Sequence, residues 1–307
     1  MCFIDNLMSD SMTKKKIKIV EVGPRDGLQN ERIFIPTPIK LEFIKALSES
    51  GLQTIETSAF VSPRWVPQMA DHQEVTAFTS TLPGLNYPVL IPNKEGMLKA
   101  VACGVKQIAV FTTVSETFSQ KNTHCDIATS LLRIDEVLSI ANDQQIPTRA
   151  YLSCVLGCPY EGSIDPKRVA TMTSTLLSMG VEEVSLGDTI GLGDSVSTHL
   201  LLDEVIKVNP PSQIAVHFHD THKRAITNIE VALSKGIQTI DSAAGGLGGC
   251  PFAPGASGNV ATEQVIDLLD RHQLHHGVDK SKIIKAGNII KQFLSSYSTR
   301  TPENMKP

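Results

Sequence analysis

The chain has 307 residues, with 28 basic against 32 acidic side chains, a net charge of −4 and 41% hydrophobic residues. That is enough chain for one large α/β domain or two small ones. The slight acidic excess excludes the basic footprint of a nucleic-acid or membrane-surface protein, and no apolar run approaches the roughly 20 residues of a membrane span.

The N-terminal arm, residues 1–16, contains Asp5 and Asp10 and no arginine, a poor fit to a secretory or mitochondrial leader. Beyond it, β-rich apolar runs alternate with longer amphipathic stretches. The run 17–22 precedes a helical pattern at 38–50, 53–60 precedes 69–79, 87–91 precedes 94–103, and 107–113 precedes 127–142. Then 148–155 precedes 166–179, 182–188 precedes 195–207, 213–220 precedes 223–235, and 237–243 precedes 261–271. A ninth helical stretch covers 280–297.

Strands alternating with helices predict a parallel sheet, and eight units over about 250 residues match a closed (β/α)8 TIM barrel. The expected fold is therefore an α/β barrel with an additional C-terminal helix, a single catalytic domain over 17–300. A doubly wound open sheet is the structural alternative, but GxGxxG is missing after the first strand. The Gly/Pro-rich stretch 245–258 falls between strand eight and its helix, which makes it a loop.

Active groups of such barrels sit where strands run into the following loops, and polar residues collect at those points here. Strand one ends in Glu21, Arg25, Asp26 and Gln29. Strand two carries Glu56, strand five Ser153, strand six Asp188 and Thr189, and strand seven His217 and His219. The loop after strand eight brings Cys250 and Asn259. Singly, each has an ordinary explanation: Asp26 before Gly27 shapes a turn, Asn259 caps a helix, and a cysteine packs. Polar residues at six strand ends around one mouth are costly unless something there uses them.

His217 and His219 alternate with Phe218, so both imidazoles share one face of their strand. Two imidazoles with the Asp26 carboxylate, an amide oxygen and waters suit Mg²⁺ or Mn²⁺ in octahedral geometry. Zn²⁺ is the less favoured choice, because it would recruit Cys250. The loop 245–259, with six glycines and two prolines, lacks the GK[ST] ending of a phosphate cradle and is expected to be a lid. A cysteine at its centre is suited to proton transfer. The six cysteines, at 2, 103, 125, 154, 158 and 250, lack the close pairing of a disulfide framework, which predicts a reduced, cytoplasmic protein.

The segments VEVGPRDGLQNE (20–31), IETSAFVSPRWVPQMAD (55–71), GCPYEG (157–162), SLGDTIGLG (185–193) and GGLGGCPFAPGASGNVATE (245–263) resemble the 3-hydroxy-3-methylglutaryl-CoA lyase family, collinearly from about residue 17 to 297. The resemblance implies an acyl-CoA substrate cleaved to acetyl-CoA and acetoacetate. It implies Asp26, His217, His219 and Asn259 as ligands of Mg²⁺ or Mn²⁺, Arg25 on the enolate oxygen, Glu56 behind Arg25, and Cys250 as proton donor with Glu263 behind it. It further implies Asp188 beside the reacting end, Gln29 and Thr189 with Arg25 against substrate, Glu21 in support, and a homodimer. The chain departs from the family at His222-Lys223-Arg224, at Ala243-Ala244-Gly245 and at Phe252. The small residues at 243–245 raise the expectation of room for a longer acyl substituent. A Claisen-type synthase of the same barrel group is the rival, and it lacks the GGCP segment. A barrel that binds CoA esters without turnover is the rival from another class.

Overall fold

The structure, a computed structural model, describes residues 16–250 and 253–298, and only the backbone of 249–250, 253–257 and 298. The N-terminal arm other than Lys16, the thiol of Cys250 and all of Phe252 lie outside the described residues.

The sheet strands run in chain order as β1 (Lys18–Glu21), β2 (Thr54–Ile55), β3 (Ser58–Ala59), β4 (Val89–Leu90), β5 (Ile108–Thr113) and β6 (Thr148–Ser153). They continue as β7 (Glu183–Asp188), β8 (Ile214–Phe218) and β9 (Thr239–Ser242). All pair in parallel, in the order β2-β1-β9-β8-β7-β6-β5-β4-β3. Segments β2 and β3 are the two halves of one strand interrupted at Glu56 and Thr57. The Glu56 amide donates to Glu21 O at 2.8 Å, on the β1 side, and the Thr57 amide donates to Pro88 O at 3.1 Å, on the β4 side. The interrupted strand thus joins both edges, and the sheet closes as the eight-stranded barrel expected from the repeat count.

The helices lie between the strands. They are α1 (Thr37–Ser48), α2 (His72–Thr79), α3 (Lys94–Ala102), α4 (Glu116–Thr123), α5 (Ile127–Asp143), α6 (Pro166–Ser178), α7 (Ser195–Ile206), α8 (Ala225–Ser234), α9 (Thr262–Arg271) and α10 (Lys280–Ser298). Five of them begin where a side chain takes an otherwise unpaired amide: Asn93, Ser115, Asp126, Asp165 and Asp194. Among the described residues, nine helices match the sequence pattern within a few residues. The tenth, α4, does not appear in that pattern.

Strands buried on both faces read as near-continuous burial, as β6, β7 and β8 do. Ala150, Leu152, Leu186, Val216, Phe218 and Ile240 belong to the main apolar core. The alternate positions Arg149, Tyr151, Ser185, His217 and Asp241 bond to one another, so the barrel interior here is polar. No described helix is long and apolar enough to cross a membrane. The glycine-rich segment contains a short antiparallel hairpin, β10 (Gly249–Cys250) with β11 (Ala253–Ser257).

Candidate active site

After β1 the chain tightens into a five-residue π-type turn, Gly23–Gly27. The Gly27 amide reaches five residues back to Val22 O, at 3.1 Å. This turn carries Arg25 and Asp26 into the mouth. The Arg25 guanidinium donates through Nε to Glu56 Oε1 and through Nη1 to Asp26 Oδ1, the latter at 2.6 Å. Glu56 is wholly buried and also accepts from Tyr151 Oη, at 2.6 Å. Burial opposes the arginine's charge, but Glu56 and Asp26 more than offset it and hold Arg25 above its ordinary range. It is a fixed cation.

Asp26, His217 and His219 each offer a donor atom within 4.8 Å of the others. Burial pushes Asp26 up, yet Arg25, both imidazoles and the Asn259 amide hold it well below the usual carboxylate range. The Asn259 Nδ2 donates to Asp26 Oδ2 at 2.9 Å and to Leu247 O at 3.2 Å, and Asn259 pairs with His219 as an isolated antiparallel bridge. Burial and the neighbouring His217 lower His219 to about 4, so its imidazole is neutral at physiological pH. Its Nδ1 is buried without a hydrogen-bond partner. Buried polar atoms rarely stay unpaired, and an imidazole with an orphaned nitrogen, clustered with an ionised carboxylate and a second imidazole, fits a divalent cation. Asp26, His217 and His219 would hold it, with the Asn259 side chain bonded to Asp26.

The remaining sequence-derived candidates fall around this centre. Glu21 is wholly buried and accepts from the amides of Gly23 (2.9 Å) and Ala244 (2.8 Å) and from Thr262 Oγ1 (2.6 Å). It ties the turn after β1 to the root of the glycine-rich loop. Burial raises it to about 7 against those three donors. Glu263, in the first turn of α9, accepts from the Gly245 amide through both oxygens, at 3.0 and 2.9 Å, and so anchors the same root. Gln29 is half-buried just past the turn. Thr189 Oγ1 accepts from the Cys154 amide at 2.9 Å, which holds the loop after β6. The backbone of Cys250 lies on β10, paired with Ala253.

Asp188 is bonded to its own loop. Its carboxylate is wholly buried, and its two oxygens accept from the amides of Leu192 (3.1 Å) and Gly193 (2.9 Å). Burial raises it to about 6. It shapes the loop after β7.

The small residues ahead of the lid also have another explanation. Gly245 has φ 68°, and a side chain there would come within 2.7 Å of Lys291 Cε on α10. A Cβ on Gly287 of α10 would lie 3.3 Å from the Gly245 amide nitrogen. Ala243 and Ala244 are wholly buried. The shrinkage at 244–245 lets α10 pack close, which is a different use from widening the mouth.

Three interior residues were not singled out from sequence: Tyr151, Arg149 and Asp241. Both guanidiniums, Arg25 and Arg149, lie over the Tyr151 ring, at 5.2 and 5.0 Å from its centroid. Asp241 accepts from Arg149 and Ser185 and contacts His217 Nδ1 at 3.3 Å. The available signal was a charged residue at an interior register in each of two strands, β6 and β9.

The HMGL-like family matches this chain over residues 16–290. A rat protein named 3-hydroxy-3-methylglutaryl-CoA lyase, cytoplasmic, is 54% identical over 274 residues, covering 89% of this chain and 80% of the relative. A bovine hydroxymethylglutaryl-CoA lyase, mitochondrial, is 51% identical over 92% of this chain and 86% of its own. The crystal structure of hydroxymethylglutaryl-CoA lyase from Pseudomonas aeruginosa superposes with a TM-score of 0.89 at 48% identity, covering 91% of this chain and 93% of that one.

Proposed function

This chain belongs to the HMGL-like family, and on that footing we propose that it is a carbon–carbon lyase. The proposed reaction cleaves 3-hydroxy-3-methylglutaryl-CoA to acetyl-CoA and acetoacetate. The observation that carries the reading is the convergence of a fixed guanidinium with two imidazoles and a carboxylate in one mouth.

Cleavage of the C2–C3 bond requires the tertiary hydroxyl to lose its proton while an enolate develops on the thioester. Mg²⁺ or Mn²⁺ bound by Asp26, His217, His219 and Asn259 would acidify and orient that hydroxyl. Arg25 is the oxyanion group: held by Glu56 and Asp26, it needs little reorganisation to meet charge on the thioester oxygen. Glu56 keeps the guanidinium aimed, and the Tyr151 hydroxyl occupies its second oxygen. Glu21 and Glu263 hold the root of the lid, from which Cys250 delivers a proton to the enolate carbon. Gln29 and Thr189 are the proposed polar contacts for the rest of the acyl group. Asp188 is proposed to act through the loop it holds.

The test is acetoacetate release on mixing with 3-hydroxy-3-methylglutaryl-CoA and Mg²⁺ or Mn²⁺, with and without chelator. We expect release that the chelator abolishes. Binding without release would identify a CoA-ester-binding module, and no release there but condensation when acetyl-CoA and a 2-oxo acid are supplied instead a Claisen-type synthase. We further propose a homodimer in the cytoplasm, a reducing compartment in keeping with the free Cys103, Cys125, Cys154 and Cys158. Light scattering at one-chain mass would refute the dimer, and a full-length fluorescent fusion confined to mitochondria would refute the location.

A further inference from the structure

His217 is the best-supported imidazole of the mouth, and its support comes from the barrel interior. Its Nδ1 lies 3.3 Å from Asp241 Oδ2, and its Nε2 faces Asp26 Oδ2 at 3.9 Å. Asp241 is wholly buried and has no freedom of its own. Its Oδ1 accepts from Arg149 Nη2 at 3.0 Å, and its Oδ2 accepts from Ser185 Oγ at 2.7 Å. Arg149 in turn lies 3.2 Å from Glu183 Oε1, which Lys18 approaches at 3.4 Å. Thr239 Oγ1 donates to the other oxygen of Glu183, at 2.8 Å. A chain of charges thus crosses the barrel from Lys18 to His217.

A carboxylate carries no proton to give, so the hydrogen between Asp241 and His217 sits on Nδ1. That leaves Nε2 with its lone pair directed into the mouth. A ligand imidazole needs this tautomer, and a carboxylate behind a ligand histidine both fixes it and strengthens the donor. We infer that Asp241, held by Arg149 and Ser185, is a positioning residue that fixes the Nδ1–H tautomer of His217 so that Nε2 can bind the cation. This deepens the metal-site reading above and rests on it.

The substitution Asp241→Asn is a sharp test because Arg149 dictates how the amide must lie. A guanidinium only donates, so the asparagine carbonyl must face Arg149, and its NH₂ must occupy the place of Oδ2. That NH₂ donates to His217 Nδ1, which then has to accept, and the ring proton moves to Nε2, where it blocks coordination. The swap is isosteric, and Arg149 keeps Glu183 as a partner.

The experiment uses full-length, metal-free protein labelled with ¹⁵N-histidine, observed over a rising pH series until the His217 signal no longer moves, and assigned by loss of that signal in His217→Gln. Mn²⁺ titration by electron paramagnetic resonance accompanies it. The parent protein should show the Nδ1–H tautomer. Asp241→Asn should show Nε2–H and bind Mn²⁺ about 10- to 100-fold more weakly. The double variant Asp241→Asn/Arg149→Met frees the amide to turn, and should recover Nδ1–H together with most of the affinity. An Nε2–H tautomer in the parent overturns the inference even if no variant folds. Unchanged tautomer and affinity in Asp241→Asn overturns it as well. A parent protein that binds no Mn²⁺ overturns the metal-site reading itself.

Discussion

Asn259 donates one side-chain amide group to two acceptors, Asp26 Oδ2 at 2.9 Å and the Leu247 carbonyl at 3.2 Å. It links the turn after β1 to both ends of the glycine-rich loop, because it follows that loop in the chain and bonds to its root. Asn259→Ala frees Asp26 and leaves a buried carbonyl unpaired. We expect Mn²⁺ affinity to fall at least about 10-fold and stability to drop by about 1–3 kcal/mol. Paramagnetic titration and urea unfolding measure the two separately.

Arg25→Lys is not a conservative change here. The guanidinium spans Glu56 and Asp26 together, and an ammonium cannot present that fork. Removing one oxyanion-type donor typically lowers kcat by about 10²–10³-fold, and we expect a loss of that order with KM little changed. A rise in KM with kcat intact would make Arg25 a binding group only.

Cys250→Ala should depress turnover far more than substrate affinity, as removal of a proton donor does. Steady-state kinetics and substrate titration on the same preparation separate the two. Equal loss in both would move Cys250 to a packing role.

The packing of α10 against Gly245 and Ala244 argues for a mouth sized to the methyl substrate. Comparing kcat/KM for 3-hydroxy-3-methylglutaryl-CoA with a longer 3-alkyl homologue should favour the methyl compound about 10-fold or more per added methylene pair. Equal turnover would mean that the small residues at 243–245 do open the acyl site.

Glu21 links stability to pH. Its carboxyl is raised by burial from 4.5 to about 7 in the folded chain, so the folded state holds a proton that the unfolded state gives up. That contribution is fully present below about pH 4.5 and is lost as pH rises through 7, on the order of 3 kcal/mol in total. Glu21→Gln removes it. The melting temperature of the variant relative to the parent should therefore climb between pH 5 and pH 8. A constant difference across that range would mean that the three donors keep Glu21 ionised throughout.

The barrel was readable because strand and helix periods differ and repeat eight times. Asp26, His217 and His219 were readable because strand alternation and strand-end position both act over a few residues. Helix α4 was not, since its run ETFSQKNT offers Phe118 as its one large apolar residue and leans on the Ser115 cap. The π-type turn at Gly23–Gly27 rests on a bond five residues long that leaves no hydrophobic period. Arg149 and Asp241 are 92 positions apart, and only closure of the sheet makes them partners. The bonds from Asp188 to its own loop were hidden for a related reason: a carboxylate at a strand end can face the mouth or its own loop, and spacing does not distinguish the two.

The interruption of the second strand at Glu56 and Thr57 has a mechanical side. These two residues form the clasp of the ring, one amide fastened to each edge, and one of them also carries the carboxylate that aims Arg25. Disturbing the clasp therefore misaligns the guanidinium at the same moment that it loosens the seam. Mild loss of closure should show itself as lost chemistry while the rest of the cylinder still holds its shape.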